Sequence, residues 1–140
     1  MKIVVNRCFG GFGLSPLAIK EYLKLKGKKA FFYEQTKYDF RNGKDEYKRV
    51  DELKRGSFTI HAVTKDLGET INKFPKNAEY FYDGDISRTD KDLITVVEKL
   101  KEKANGDYAS LEVVEIPDGI DWEIDEYDGS ESVEEKHRSW

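Results

Sequence analysis

The segment Asn6-Arg7-Cys8-Phe9-Gly10-Gly11-Phe12-Gly13-Leu14-Ser15 constrains this chain more than any other stretch. Residues 2–5 before it form a short run rich in β-branched side chains, which reads as a buried first strand. After it, Ser15 followed by Pro16 marks a helix start, because the Ser hydroxyl can accept an orphan N–H while Pro fills a position that needs no donor. The chain must therefore pass from strand to helix within this one segment. Its three glycines permit a sharp turn and a close approach of backbone to whatever lies beside it.

The rest of the chain supplies further elements. Leu17, Ala18, Ile19, Tyr22, Leu23 and Leu25 give the first helix its apolar faces, and Gly27 is its natural stop. Residues 29–35, with Phe31, Phe32 and Tyr33, read as a second strand, followed by a polar, charge-dense stretch over 36–56 with no assigned element. Residues 57–63 alternate Phe58, Ile60 and Ala62 against Thr59, His61 and Val63, as a half-buried third strand does. Residues 72–85, containing Pro75, Gly84 and the triplet Tyr80-Phe81-Tyr82, read as a loop leading into a short strand.

A second helix is expected where Thr89 and Asp92 form a capping-box-like pair ahead of Leu93, Val96, Val97, Leu100 and Ala104, with Asn105 and Gly106 ending it. Residues 111–116 read as a strand. Pro117-Asp118-Gly119 then turns into Ile120, Trp122 and Ile124, which alternate with Asp121, Glu123 and Asp125, giving a C-terminal hairpin with an acidic outer face. Residues 130–137, starting at Ser130, read as a short last helix. The expected order is β-α-β-β-(β)-α-β-β-α: an α+β fold with a mixed β-sheet and two main helices, over residues 1–140 as a single domain.

Composition narrows the setting. A chain of 140 residues matches one ordinary domain, and its 8 Tyr, 8 Phe and 2 Trp are unlike a disordered chain. No apolar run approaches the ~20 residues that cross a bilayer, so no membrane partner is expected. The lone Cys8 excludes an internal disulfide and a multi-cysteine zinc site, which fits a cytoplasmic protein. Charge is split along the chain. Residues 1–65 hold 15 Lys and Arg against 7 Asp and Glu, whereas residues 66–140 hold 9 against 21. Such a split suits internal pairing, homo-oligomer contacts or simply two solvated faces.

Backbone N–H groups at the N-terminus of a helix favour an anion, phosphate above all. Around the first turn, Asn6, Gly10, Gly11 and Ser15 are candidate ligand contacts, Arg7 a bidentate cation, and Phe9 and Phe12 stacking surfaces for a base. The spacing matches neither the dinucleotide fingerprint nor the P-loop, and the glycines alone can serve a tight turn with Phe9 and Phe12 in the core. Arg88 is placed to bring a cation to the second helix. His137, Arg138 and Trp140 combine groups that bind phosphate and stack on a purine, or that pack onto the domain. Cys8 and His61 are the candidate reactive groups of an enzyme, but no catalytic constellation, metal site or cofactor follows from the motifs.

The opening Val4-Val5-Asn6-Arg7-Cys8-Phe9-Gly10-Gly11-Phe12-Gly13-Leu14-Ser15, with Glu115-Ile116-Pro117-Asp118, Glu126-Tyr127-Asp128-Gly129 and Lys136-His137-Arg138-Ser139-Trp140, resembles a family of small bacteriophage and prophage proteins. The likeness covers both ends and the second helix, and departs over residues 36–75. It implies an anti-defence role in the host cytoplasm, for which the leading expectation is a non-catalytic, oligomeric sponge. Such a protein sequesters a phosphorylated nucleotide signal, a cyclic ADP-ribose-like or cyclic oligonucleotide molecule. The alternatives are an acidic protein-binding module or DNA mimic that blocks a host nucleic-acid enzyme, and a nucleotide-acting enzyme. Direct nucleic-acid binding is not expected.

Overall fold

A computed structural model of the chain describes residues 1–37, 45–50, 60–76 and 78–136. Contacts gather into two compact units, one from Met1–Leu25 with Asp83–Trp140 and the other from Lys26–Tyr82. The first is built of helices and antiparallel ladders and the second of one antiparallel sheet, which makes the chain an α+β fold with two main helices. No helix among the described residues is long and apolar enough to cross a membrane.

In the first unit, strand β1 (Lys2–Asn6) is buried from Ile3 onward. It pairs with the strand Leu111–Glu115 in an antiparallel ladder that sets Val4 opposite Val113. Its other edge has no strand partner among the described residues, yet its donors are met. The Val4 N–H donates to the Arg88 carbonyl at 2.9 Å and the Asn6 N–H to the Glu131 carboxylate at 2.8 Å. A buried edge left unpaired would cost ~1–3 kcal/mol per group, so these two contacts allow β1 to lie in the core.

Helix α1 (Pro16–Leu25) starts as the sequence indicates, with the Ala18 N–H donating to Ser15 Oγ at 3.1 Å. Helix α2 (Lys91–Leu100) differs in its cap. Asp90, not Thr89, accepts from the N–H groups of Asp92 and Leu93, because its short carboxylate reaches both and also suits the positive helix end. The expected last turn to Ala104 tightens into a 3-10 helix, Lys101–Ala104. Ala18, Tyr22 and Leu23 of α1, Leu93, Val96 and Val97 of α2, and Ile3, Val4 and Val5 of β1 form the core. Each such aliphatic side chain contributes roughly 1.5–3 kcal/mol when fully buried.

The second unit is a four-stranded antiparallel sheet. Label its strands β2 (Phe31–Lys37), β3 (Glu46–Val50), β4 (Ile60–Val63) and β5 (Thr70–Ile71); the spatial order is β4-β2-β3-β5. β3 lies within the stretch that the sequence reading left without an element, and residues 51–59 lie outside the described part. Phe32 and Tyr33, consecutive in the central strand β2 and so on opposite faces of the sheet, are both buried. The Tyr33 hydroxyl accepts from the Leu67 N–H and reaches the Gly68 carbonyl, both at 2.8 Å. Phe74 meets the rings of Tyr33, Tyr47 and Tyr80. The short strand expected near Tyr80 is a single bridge to Val63.

Two expectations for the C-terminal region are overturned. Residues 111–116 and 120–125 do not pair with each other. The first, β6 (Leu111–Glu115), pairs with β1, while β7 (Trp122–Tyr127) pairs with β8 (Ser130–Glu135). Residues 130–135 are thus strand, not the expected helix. The reason is local: Asp128 at φ 50° and Gly129 at φ 91° form a two-residue turn with both φ positive, whose twist matches a hairpin. Alternation then places Glu131 and Val133 on the inner face.

Candidate functional site

Asn6 is fully buried and uses its whole hydrogen-bonding capacity. Its Nδ2 donates to the carbonyls of Cys8 and Gly129, each at 2.8 Å, while its Oδ1 accepts from the N–H groups of Cys8 and Ser110 at 3.2 and 2.8 Å. This one side chain clamps the glycine-rich turn, the start of β6 and the tip of the β7–β8 hairpin.

The glycines serve the same convergence. A Cβ on Gly10 would lie 2.1 Å from Tyr108 Cβ, and one on Gly129 would lie 2.6 Å from the Gly11 nitrogen. Ser15 is committed as well, donating from Oγ to the Lys103 carbonyl at 2.5 Å besides capping α1.

Both guanidinium groups among the described candidates already hold carboxylates. Arg88 makes a forked pair with Glu131 at 2.6 and 2.9 Å and lies 3.6 Å over the Phe12 ring, so that one face of Phe12 is taken. Arg7 donates from Nε to Glu112 at 2.9 Å and from Nη1 to the Glu131 carbonyl at 2.9 Å. In contrast, the N–H groups of Phe9, Gly10 and Phe12 have no acceptor among the described residues. Phe9 is 67% exposed rather than in the core. His137, Arg138 and Trp140 lie outside the described residues.

Cys8 is half-buried, with its backbone held by Asn6. His61 belongs to the other unit, and the structure describes only its backbone, opposite Tyr33. Among the described residues, no group of three or more His, Cys, Asp and Glu side chains is placed to hold a metal ion. A shallow groove of about 400 Å³ between α2 and β6 has Glu98 and Glu112 on its walls, already paired with Lys2 and Arg7.

The hairpin presents a different surface. Glu123 stands opposite Glu134 and Asp125 opposite Ser132, so these side chains share one face, and Asp121 is exposed just before β7. No cation among the described residues pairs with Asp121, Glu123, Asp125 or Glu134.

Sequence reasoning missed Glu131, the buried partner of Arg88, and the exposure of Tyr108 and Tyr127. The Asp128-Gly129 pair was the available signal for Glu131, since a hairpin there puts it on the inner face.

No protein-family model, curated protein or solved structure matches this chain. Its function is read from its own geometry.

Proposed function

We propose that this chain is a non-catalytic, phage-type anti-defence protein that lays its acidic β7–β8 hairpin on the basic, nucleic-acid-binding surface of a host cytoplasmic protein. The observation that carries this reading is Glu123 directly opposite Glu134 on an exposed face. Like charges in that position destabilise a ladder, and nothing in the fold requires them there. Local rules broken without structural gain mark functional surfaces.

The charge density fits such a target. Strands of this length extend about 20 Å. Glu123, Asp125 and Glu134 stand exposed together on the outer face of the ladder, a concentration of negative charge that suits a basic surface.

The test is capture from a bacterial lysate. A partner should be retained by the native chain, displaced by duplex DNA and by salt, and lost by a variant carrying Asp121→Asn, Glu123→Gln, Asp125→Asn and Glu134→Gln. Undiminished capture of the same partner by that variant would remove the acidic face from consideration.

The nucleotide-sponge reading takes second place, because Arg7 and Arg88 already hold carboxylates. What supports it is the set of unpartnered N–H groups on Phe9, Gly10 and Phe12 beside an exposed Phe9 ring. His137, Arg138 and Trp140 would then supply the cations and second stacking surface, in a homo-oligomer. Thermal shift with cyclic ADP-ribose and cyclic oligonucleotides tests it, and no shift with any of them at millimolar concentration sinks it.

A further inference from the structure

Three large aromatic side chains of the first unit stand in solvent: Phe9 at 67% exposure, Tyr108 at 76% and Tyr127 at 79%. Aromatic rings usually bury 150–250 Å² each, so three left open on neighbouring backbone call for a partner. Their stems converge. Gly10, next to Phe9, abuts the Tyr108 backbone, and Gly129, two residues past Tyr127, abuts Phe9 and Gly11. Asn6 and the Asp128-Gly129 turn hold these stems in place.

Charge identifies the occupant. Asp107 precedes Tyr108, Asp128 follows Tyr127, and both carboxylates are exposed. An anionic ligand would meet them unfavourably, while a cation gains from both the ring faces and the carboxylates. The chain already holds one arginine in this manner, with the Arg88 guanidinium between the Phe12 ring and the Glu131 carboxylate. Lysine lacks the plane that stacks and the fork that matches a carboxylate.

We propose that Phe9, Tyr108 and Tyr127, with Asp107 and Asp128, bind arginine side chains of the basic partner at the tip of the acidic hairpin. This inference rests on the acidic-face reading and names the chemistry by which that face selects its partner.

The experiment uses the full chain and two labelled synthetic peptides of equal length, one with alternating Arg and Gly, the other with alternating Lys and Gly, titrated by fluorescence anisotropy. The arginine peptide should bind about fivefold more tightly. The double variant Tyr108→Ala and Tyr127→Ala should bring it down to the lysine level while the lysine peptide changes less than about twofold. The matching Tyr→Phe variants should keep the preference, since the ring faces remain. Equal binding of both peptides to the native chain, or a preference that survives the double alanine change, overturns the inference. In those cases a loss of both peptides on neutralising Glu123, Asp125 and Glu134 leaves the acidic-face reading standing. Binding of neither peptide sinks both.

Discussion

At the residue scale, the Arg88–Glu131 pair decides most. Side-chain exposures of 19% and 7% place it where an orphaned carboxylate is expensive. Arg88→Met should therefore cost about 3–5 kcal/mol in urea unfolding, and Arg88→Lys less, because it keeps the charge but loses the fork and the stack on Phe12. A loss under about 1 kcal/mol for the methionine variant would mean that water screens the pair, contrary to this account. The glycines of the turn offer a sharper contrast. Gly11 has φ +95° with open space around it, so Gly11→Ala should cost only about 1–2 kcal/mol of backbone strain. Gly10→Ala drives a methyl into the Tyr108 backbone and should be the more damaging change by thermal melting. Sequence could identify Asn6, Arg7 and Arg88 as polar groups near a turn. It could not show that they are consumed internally, because their partners Gly129, Glu112 and Glu131 lie far along the chain.

At the scale of elements, legibility followed locality. α1 and α2 are written in periodic apolar residues and adjacent caps, and both were readable to within a few residues. The strand β3, Glu-Tyr-Lys-Arg-Val, carries only two apolar residues and is held by neighbours on both sides, which the local sequence does not display. Residues 130–135 misled because Ser130 and the basic Lys136-His137-Arg138 mimic helix ends, whereas the deciding signal was the Asp128-Gly129 turn before them. The hairpin carries a prediction of its own. Glu134→Lys replaces a like-charge pair with an attractive one and should stabilise the ladder by about 0.5 kcal/mol, read from the urea midpoint. The same change should weaken capture of a basic partner. Capture that strengthens together with stability would separate the acidic face from the role proposed for it.

For the whole molecule, the separation into two units reflects pairings remote in sequence, β1 with β6 and β2 with β4, which no windowed reading reveals. The second unit has an electrostatic anchor that the sequence also hid. Asp66 is held below the ordinary carboxylate range, first by the Gly68 N–H at 2.9 Å and then by the Arg49 guanidinium, with Tyr33 adding a third contact. Glu79 is lowered as well, by its hydrogen bond and charge pairing with Lys28 at 2.6 Å. A carboxylate whose folded value is depressed favours the fold fully above its unfolded value near 4, and that contribution vanishes as pH falls through the folded value. Urea resistance followed on the β2 amides by NMR should therefore drop between about pH 6 and about pH 3. Asp66→Asn should lower resistance at the higher pH, where the native carboxylate is charged, and flatten the dependence, since the amide cannot titrate. A variant with the native pH slope would assign the acid sensitivity of this unit to groups other than the Asp66 anchor.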